Sequence, residues 1–222
     1  MAEDYLTDDE QLERVKQLTT EYGPWVLGGV VLATVLVFGY RYFDGYRNGV
    51  ALKAAAQFSA MTDALEKNDP TAARKIADGL IKDYPKSPYA DQAQLAMARL
   101  YVDAGELANA AAPLRQVMDN SKDSDLKEIA RLRLARVLID QGKPDEAIST
   151  LGSSPTPAFA ALSHQVRGDA LLAKKNPSGA AAEYKLALAT SDARSPDTAL
   201  LALKIADLGA NPSAAPSNTA KP

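Results

Sequence analysis

The sequence predicts an all-α protein in which one N-terminal transmembrane helix precedes an α-solenoid of helical hairpins. Three observations lead to this fold class. One uncharged, apolar stretch lies near the N-terminus of a chain of 222 residues. Glycine and proline divide the rest into alanine-rich segments of helical length. These segments resemble one another at separations of 37, 37 and 33 residues, which is typical of stacked repeats.

The uncharged stretch, residues 22–40, predicts a membrane-spanning helix. Its nineteen residues form a helix about 28 Å long at 1.5 Å per residue, close to the hydrocarbon thickness of a bilayer. Nine Val, Leu and Phe residues between positions 26 and 38 favour insertion by roughly 3 to 5 kcal/mol. Aromatic side chains flank it, as expected at headgroup level: Tyr22, Trp25, Tyr40, Tyr42 and Phe43. We therefore predict an anchor over residues 22–43 that contacts the lipid bilayer.

A cleaved signal peptide and a buried core helix are the alternatives to an anchor. A signal peptide has a basic leading region and small residues at its cleavage site, whereas acidic residues precede this stretch and bulky ones follow it. A core helix needs a comparably apolar partner segment, and the sequence has none. An uncleaved anchor explains the stretch better than either alternative.

The N-terminal tail, residues 1–21, is strongly acidic. It holds seven acids and two bases, a net charge of −5, so the remainder of a chain of net charge −3 sums to about +2. Nucleic-acid binding requires a concentrated basic surface, and we predict no nucleic-acid partner. The TDDE segment at residues 7–10 has the form of a helix N-cap, and apolar residues follow at helical spacing. We expect a short amphipathic helix here, either solvated or bound to a partner.

Charge near the predicted span leaves its orientation open. Two basic residues precede it, Arg14 and Lys16, and three follow it, Arg41, Arg47 and Lys53. The rule that basic residues remain in the cytoplasm cannot decide on a margin of one. The chain has no cysteine, which excludes disulfides, thiolate metal sites and lipid attachment through a cysteine.

The repeats become visible when Gly105 is aligned with Gly142. The segments MARLYVDAGELANAAAPL and LARVLIDQGKPDEAISTL then match, and RGDALLAKKNPSGAAAEYKLAL gives a third copy. Small residues recur in the first helix of each pair (Ala98, Ala135, Gly168), alanines in the second (Ala110, Ala147, Ala180), and large residues follow these alanines (Leu114, Leu151, Tyr184). A weaker copy contains Met61, Ala73 and Ala77.

This pattern resembles tetratricopeptide repeats, although the family's tryptophan is missing and two of the repeats are longer than its usual period of 34 residues. The resemblance implies a repeat domain over residues 44–208, built of hairpins that bury their apolar faces by stacking. We expect residues 197–208 to form a capping helix, with Leu200, Leu201, Leu203, Ile205 and Leu208 covering the last repeat. Residues 209–222, rich in Pro, Ala and Ser, predict a disordered tail.

The sequence contains no motif typical of catalysis. His164 is the one histidine, and a lone histidine is more often a surface or packing residue than a ligand. Asp145 and Glu146 follow Pro144, where acids stabilise a helix start. We find no phosphate loop, nucleophile elbow or metal-ligand spacing, and predict neither an enzyme nor a bound cofactor or metal.

Repeat arrays bind partners on the concave surface formed by their first helices. In the alignment, Arg99, Arg136 and Asp169 occupy one repeat position that we expect to face this groove, with Val102, Ile139 and Leu172 as apolar neighbours. Arginines one repeat apart can clamp a carboxylate or bridge backbone carbonyls of an extended segment. The alternative is that they are solvated or paired within the chain.

The order of these features resembles the ancillary subunit of the bacterial Sec translocon: the tail DDEQLERVKQLTTEYG, one anchor, the repeats LRLARVLIDQGKPDEAISTL and RGDALLAKKNPSGAAAEY, and a terminal LKIADL. The resemblance implies a single-pass inner-membrane protein with a cytoplasmic N-terminus and a periplasmic repeat domain. It implies as partners the Sec translocon subunits and a membrane-anchored, periplasmic, prolyl-isomerase-like chaperone, to which translocated chains are passed. A role in stress-response regulation is also implied.

Two other assignments are open. The segment YPKSPYADQAQLAMARLY resembles part of the periplasmic lipoproteins that assemble the outer membrane, which would make the chain an envelope assembly scaffold, but no cysteine is present for lipidation. A membrane-tethered repeat protein that regulates a cytoplasmic stress-response signalling protein is the other alternative. The orientation of the repeat domain distinguishes it from the translocon assignment.

Overall fold

The computed structural model describes residues 8–152, 156–191 and 197–209. All regular elements in these ranges are helical, which confirms the all-α prediction. The α-helices are α1 (Asp8–Glu66), α2 (Pro70–Asp83), α3 (Pro88–Asp103), α4 (Leu107–Asn120), α5 (Ser124–Asp140), α6 (Pro144–Leu151), α7 (Ala160–Ala173), α8 (Pro177–Thr190) and α9 (Asp197–Asp207), with a 3₁₀ turn (Pro157–Phe159) before α7. The chain divides into two compact units, Met1–Lys53 and Ala54–Pro222.

The first unit contains the apolar part of α1. Within the described ranges, this is the one helix that is long and apolar enough to cross a membrane, and none of its most apolar stretch is buried in the protein. Trp25 and Phe38 are 80% and 69% exposed. Burying one such side chain contributes about 1.5 to 3 kcal/mol, so an exposed row of them requires an apolar environment. The predicted N-cap, Thr7, lies outside the described residues.

The described part of the second unit contains four hairpins that share one turn, followed by α9. In each, the second residue after the first helix has a left-handed backbone. These residues are Asn68, Gly105, Gly142 and Lys175, with φ of 53°, 75°, 73° and 59°. The next residue donates its N–H to a carbonyl five positions earlier, as Lys143 does to Leu138 at 2.8 Å. This is the Schellman helix ending. Its recurrence at separations of 37, 37 and 33 residues reproduces the predicted repeat period.

The hairpins pack in chain order, and the first helices α3, α5 and α7 also contact one another in succession. The four aligned second-helix alanines, Ala73, Ala110, Ala147 and Ala180, are all fully buried. Alanine adds little width to a helix, and so it permits close approach where helices cross. Leu114, Leu151 and Tyr184 are buried beside them. The predicted solenoid of tetratricopeptide-like hairpins is confirmed.

Polar contacts also join successive hairpins close to their turns. They are the ion pair of Arg74 with Glu106 at 3.0 Å, the hydrogen bond from Gln141 Nε2 to the Leu107 carbonyl at 2.7 Å, and the ion pair of Lys174 with Asp145. Hydrogen bonds from Asn109 and Arg74 lower the pKa of Glu106. These contacts fix which hairpin edges meet, whereas the buried alanines set how closely they approach.

The cap helix α9 covers the last hairpin with one face only. Leu201 and Ile205 are buried, and Leu208 packs against the same cluster. The expectation that Leu200 and Leu203 also cover the repeat is wrong, since they are 44% and 58% exposed. Residues at i, i+4 and i+7 share a helix face, and positions 200 and 203 lie off the face that 201, 205 and 208 define. The predicted tail beyond Gly209 lies outside the described residues.

Candidate protein-binding groove

A cleft of about 330 Å³ lies between α3 and α5, the first helices of the second and third hairpins. Three predicted groove residues, Arg99, Val102 and Arg136, line it together. We call it the arginine cleft. Its complete lining is Ala98, Arg99, Val102, Leu114, Arg133, Arg136, Val137 and Asp140.

Helical spacing explains how these side chains meet. Arg99 and Val102 are three residues apart on α3, and Arg133, Arg136 and Asp140 follow at intervals of three and four on α5. Residues at such spacing share a helix face. Because α3 contacts α5, the two faces combine into one surface with an apolar floor and a cationic rim.

The rim carries more positive than negative charge. Arg99 forms an ion pair with Asp103, at 3.5 Å between Nε and Oδ2, and its side chain is 80% exposed. Among the described residues, neither Arg133 nor Arg136 has an ion-pair partner within 4.0 Å. Partial desolvation, together with the charges of Arg99 and Arg136, lowers the pKa of Arg133. The charges of Arg99 and Arg136 therefore repel that of Arg133, and of these three arginines Arg99 alone has an ion-pair partner among the described residues.

Arg99 also borders a second cleft, of about 600 Å³, between the end of α1 and α3. Leu65 and Glu66 at the end of α1 and Asn68 in the following turn form one wall, while Ala96 and Leu100 contribute from α3. All of these residues belong to the second compact unit. Two consecutive clefts thus follow the first helices, with Arg99 at the boundary between them.

The other three predicted groove residues lie outside the arginine cleft. Ile139 is half-buried against the core, and Leu172 is 44% exposed. The Asp169 carboxylate accepts hydrogen bonds from the Tyr184 hydroxyl and from Lys204 Nζ, both at 2.6 Å. Asp169 is therefore engaged in holding α8 and α9 to α7. The binding role of all six residues stays a prediction.

Arg133 is the groove residue that sequence reasoning missed. It has no counterpart of its kind in the other repeats, so alignment by repeat position passes over it. The available signal was its three-residue spacing from Arg136, which places both guanidinium groups on the same helix face.

His164 occupies a packing position between α7 and α8. Its Nδ1 lies 2.7 Å from Glu183 Oε2, and Arg167 approaches the other oxygen of Glu183 at 4.0 Å. Arg167 also donates a hydrogen bond to the Gly152 carbonyl. No group of three or more histidines and carboxylates in the described part of the chain is arranged to hold a metal ion.

Taken together, the stacked hairpins, the open cleft on their first helices and the exposed apolar helix define a membrane-associated helical-repeat protein of the binding-scaffold class. The family model of the tetratricopeptide repeat-like domain matches residues 16–210. An ancillary SecYEG translocon subunit of Escherichia coli K12 is 32% identical over 82% of this chain and 87% of its own length. A protein of the same name from Neisseria gonorrhoeae is 28% identical over 92% of this chain and 98% of its own length. The chain belongs to the family of ancillary SecYEG translocon subunits.

Proposed function

We propose that this chain is a membrane-anchored scaffold that binds proteins at the periplasmic side of the Sec translocon and helps to pass translocated chains to periplasmic chaperones. In this proposal the apolar part of α1 anchors it in a bacterial inner membrane, with a cytoplasmic N-terminus. Its partners are the translocon subunits and a membrane-anchored, prolyl-isomerase-like chaperone.

The arginine cleft is the observation that carries the proposal. It lies on the first helices of a repeat array, where such proteins present their most continuous binding surface. Its floor is apolar, and within the described ranges Arg133 and Arg136 on its rim form no ion pair. Both features suit a polypeptide segment. The relatives are named for an association with SecYEG, which supports the translocon as the site of action.

Orientation is tested first, with reporters fused after Leu208 in the full chain. We expect a reporter that is active only in the periplasm to give signal and one that is active only in the cytoplasm to be silent. The charge bias around the span is nearly even and would not by itself produce this result. The opposite pattern would support the regulator of a cytoplasmic signalling protein instead.

Partner binding is tested by purifying the full chain from membranes solubilised in mild detergent. We expect translocon subunits and the chaperone to co-purify with it. A second single-pass protein with an unrelated periplasmic domain, expressed at the same level, is the control. Equal recovery of the translocon with both proteins would contradict the proposed binding of translocon subunits.

A further inference from the structure

Among the described residues, the arginine cleft carries an excess of positive charge. Its lining holds three arginines and one acid, Asp140. Asp103 lies outside the lining and pairs with Arg99, and within the described ranges neither Arg133 nor Arg136 forms an ion pair. The charges of Arg99 and Arg136 act on Arg133, and an anionic group placed between these like charges relieves their repulsion.

The floor of the cleft restricts the kind of anion that fits. Ala98, Leu114 and Val137 are buried and Val102 is 38% exposed, so the space beneath the guanidinium groups is apolar. A free inorganic anion leaves this floor in contact with water. An extended peptide with an acidic side chain beside an aliphatic or aromatic one covers the floor and neutralises the rim together.

We infer that the arginine cleft binds extended polypeptide segments in which a carboxylate side chain lies next to a large apolar side chain. Arg133 and Arg136 hold the carboxylate, and Val102 and Val137 contact the apolar neighbour. Arginine's planar donors match the two oxygens of a carboxylate. A backbone carbonyl accepts the same hydrogen bonds, but it is neutral and leaves the repulsion in place.

This inference rests on the proposed function, because it names the chemistry of the segments that such a scaffold binds. It can nonetheless fail by itself. A scaffold can hold the translocon through its membrane helix while the arginine cleft accepts any apolar peptide. The two proposals are therefore measured separately on the same variants.

The experiment uses the full chain in detergent micelles and three matched sets of fluorescein-labelled ten-residue peptides. Each peptide carries a central Leu-Phe pair, with glutamate, glutamine or lysine on both sides. Fluorescence anisotropy gives the Kd of each peptide. Because hydrogen bonds between charged groups are the stronger ones, we expect the glutamate peptides to bind at least about ten-fold more tightly than the glutamine peptides, and the lysine peptides to bind weakest.

The variant Arg133→Gln with Arg136→Gln removes the charge and is expected to abolish the preference for glutamate. Arg133→Lys with Arg136→Lys is expected to retain part of it, since the charge remains. The matched control is Arg115→Gln, which removes an exposed arginine on α4 outside the cleft and is expected to keep the preference. Circular dichroism verifies that every variant retains its helicity.

Three results would overturn the inference. The first is equal affinity for the glutamate and glutamine peptides. The second is a loss of glutamate preference in the Arg115→Gln control equal to that in the double variant. The third is binding of phosphatidylglycerol vesicles by the wild-type chain without binding of any peptide. Retained glutamate preference without translocon recovery would remove the proposed function and leave the inference standing. Translocon recovery without glutamate preference would do the reverse.

Discussion

Gly168 on α7 and Tyr184 on α8 are packed in direct contact. A Cβ atom added to Gly168 would lie 2.5 Å from Cε1 of the Tyr184 ring. The ring is fully buried, and its hydroxyl donates to Asp169 Oδ1 at 2.6 Å. Two consecutive residues of α7 therefore fix both the face and the hydroxyl of one side chain, and the ring has little freedom to move away.

Gly168→Ala is expected to destabilise the repeat domain. Overpacking in a filled core lowers the free energy of unfolding by about 1 to 3 kcal/mol, which exceeds the roughly 1 kcal/mol gained from the helix propensity of alanine. Thermal unfolding of the full chain in detergent, followed by circular dichroism, measures the change. Gly79→Ala on α2 is the control, because a Cβ there meets no atom within 4 Å. Equal midpoints for both variants would contradict the contact.

The shared hairpin turn gives a second pair of opposing substitutions. Gly142 and Lys175 hold the same left-handed conformation in successive hairpins, and a residue with a side chain is strained there by about 1 to 2 kcal/mol. We expect Gly142→Ala to lower the free energy of unfolding by about 1 kcal/mol. Lys175→Gly relieves the strain and is expected to raise the free energy of unfolding. The increase is less than about 1 kcal/mol, because glycine also increases the conformational entropy of the unfolded chain. Chemical denaturation measures both, and changes of the same sign would refute the argument.

The repeat alignment predicts the fold well because each hairpin has the same requirements for small residues at helix crossings and for a left-handed turn residue. Ala98 and Ala135 are small since two helices cross there, and both are buried. This requirement is visible in sequence as a recurring small residue. The turn glycines are visible for the same reason, because a left-handed helix ending favours glycine.

The contacts between distant elements have no such local signal. Asp169 forms an ion pair with Lys204, which lies 35 positions later on another helix. The spacing of neither residue in the sequence indicates this pair. The arginine cleft likewise needs side chains from two helices, so the alignment supplied Arg99 and Arg136 but not Arg133. The cap was predicted as a helix, but its buried face could not be chosen among five apolar residues.

Stability at alkaline pH is expected to depend on Tyr184. Burial, and then the hydrogen bond and charge of Asp169, raise the pKa of Tyr184 above its ordinary value of about 10. Because this pKa is raised in the folded state, the stabilisation that protonated Tyr184 contributes is complete below the pKa of this tyrosine in the unfolded chain. It is lost as the pH rises beyond that value towards the folded pKa.

The variant Tyr184→Phe tests this dependence. It loses the hydroxyl's hydrogen bond, which lowers the free energy of unfolding at pH 7 by about 1 kcal/mol or more, but it cannot ionise at this position. We expect the difference between wild type and variant to shrink between pH 9 and pH 12 in urea denaturation. The other eight of the nine tyrosines are common to both proteins and cancel. A constant difference across this range would show that Tyr184 does not titrate as proposed.

Charge reversal of Arg99 and Arg136 is expected to abolish co-purification of the proposed chaperone partner while leaving the fold intact. Both side chains are exposed, so surface substitution changes stability by only a few tenths of a kcal/mol, whereas two glutamates reverse the charge of the arginine cleft. Arg99→Glu with Arg136→Glu is compared with Arg115→Glu on α4, at matched expression and helicity. Since Arg115 lies outside the cleft, its variant should retain the chaperone. Retention by the folded double variant would move the partner site to the convex face, to α9 or to the membrane helix.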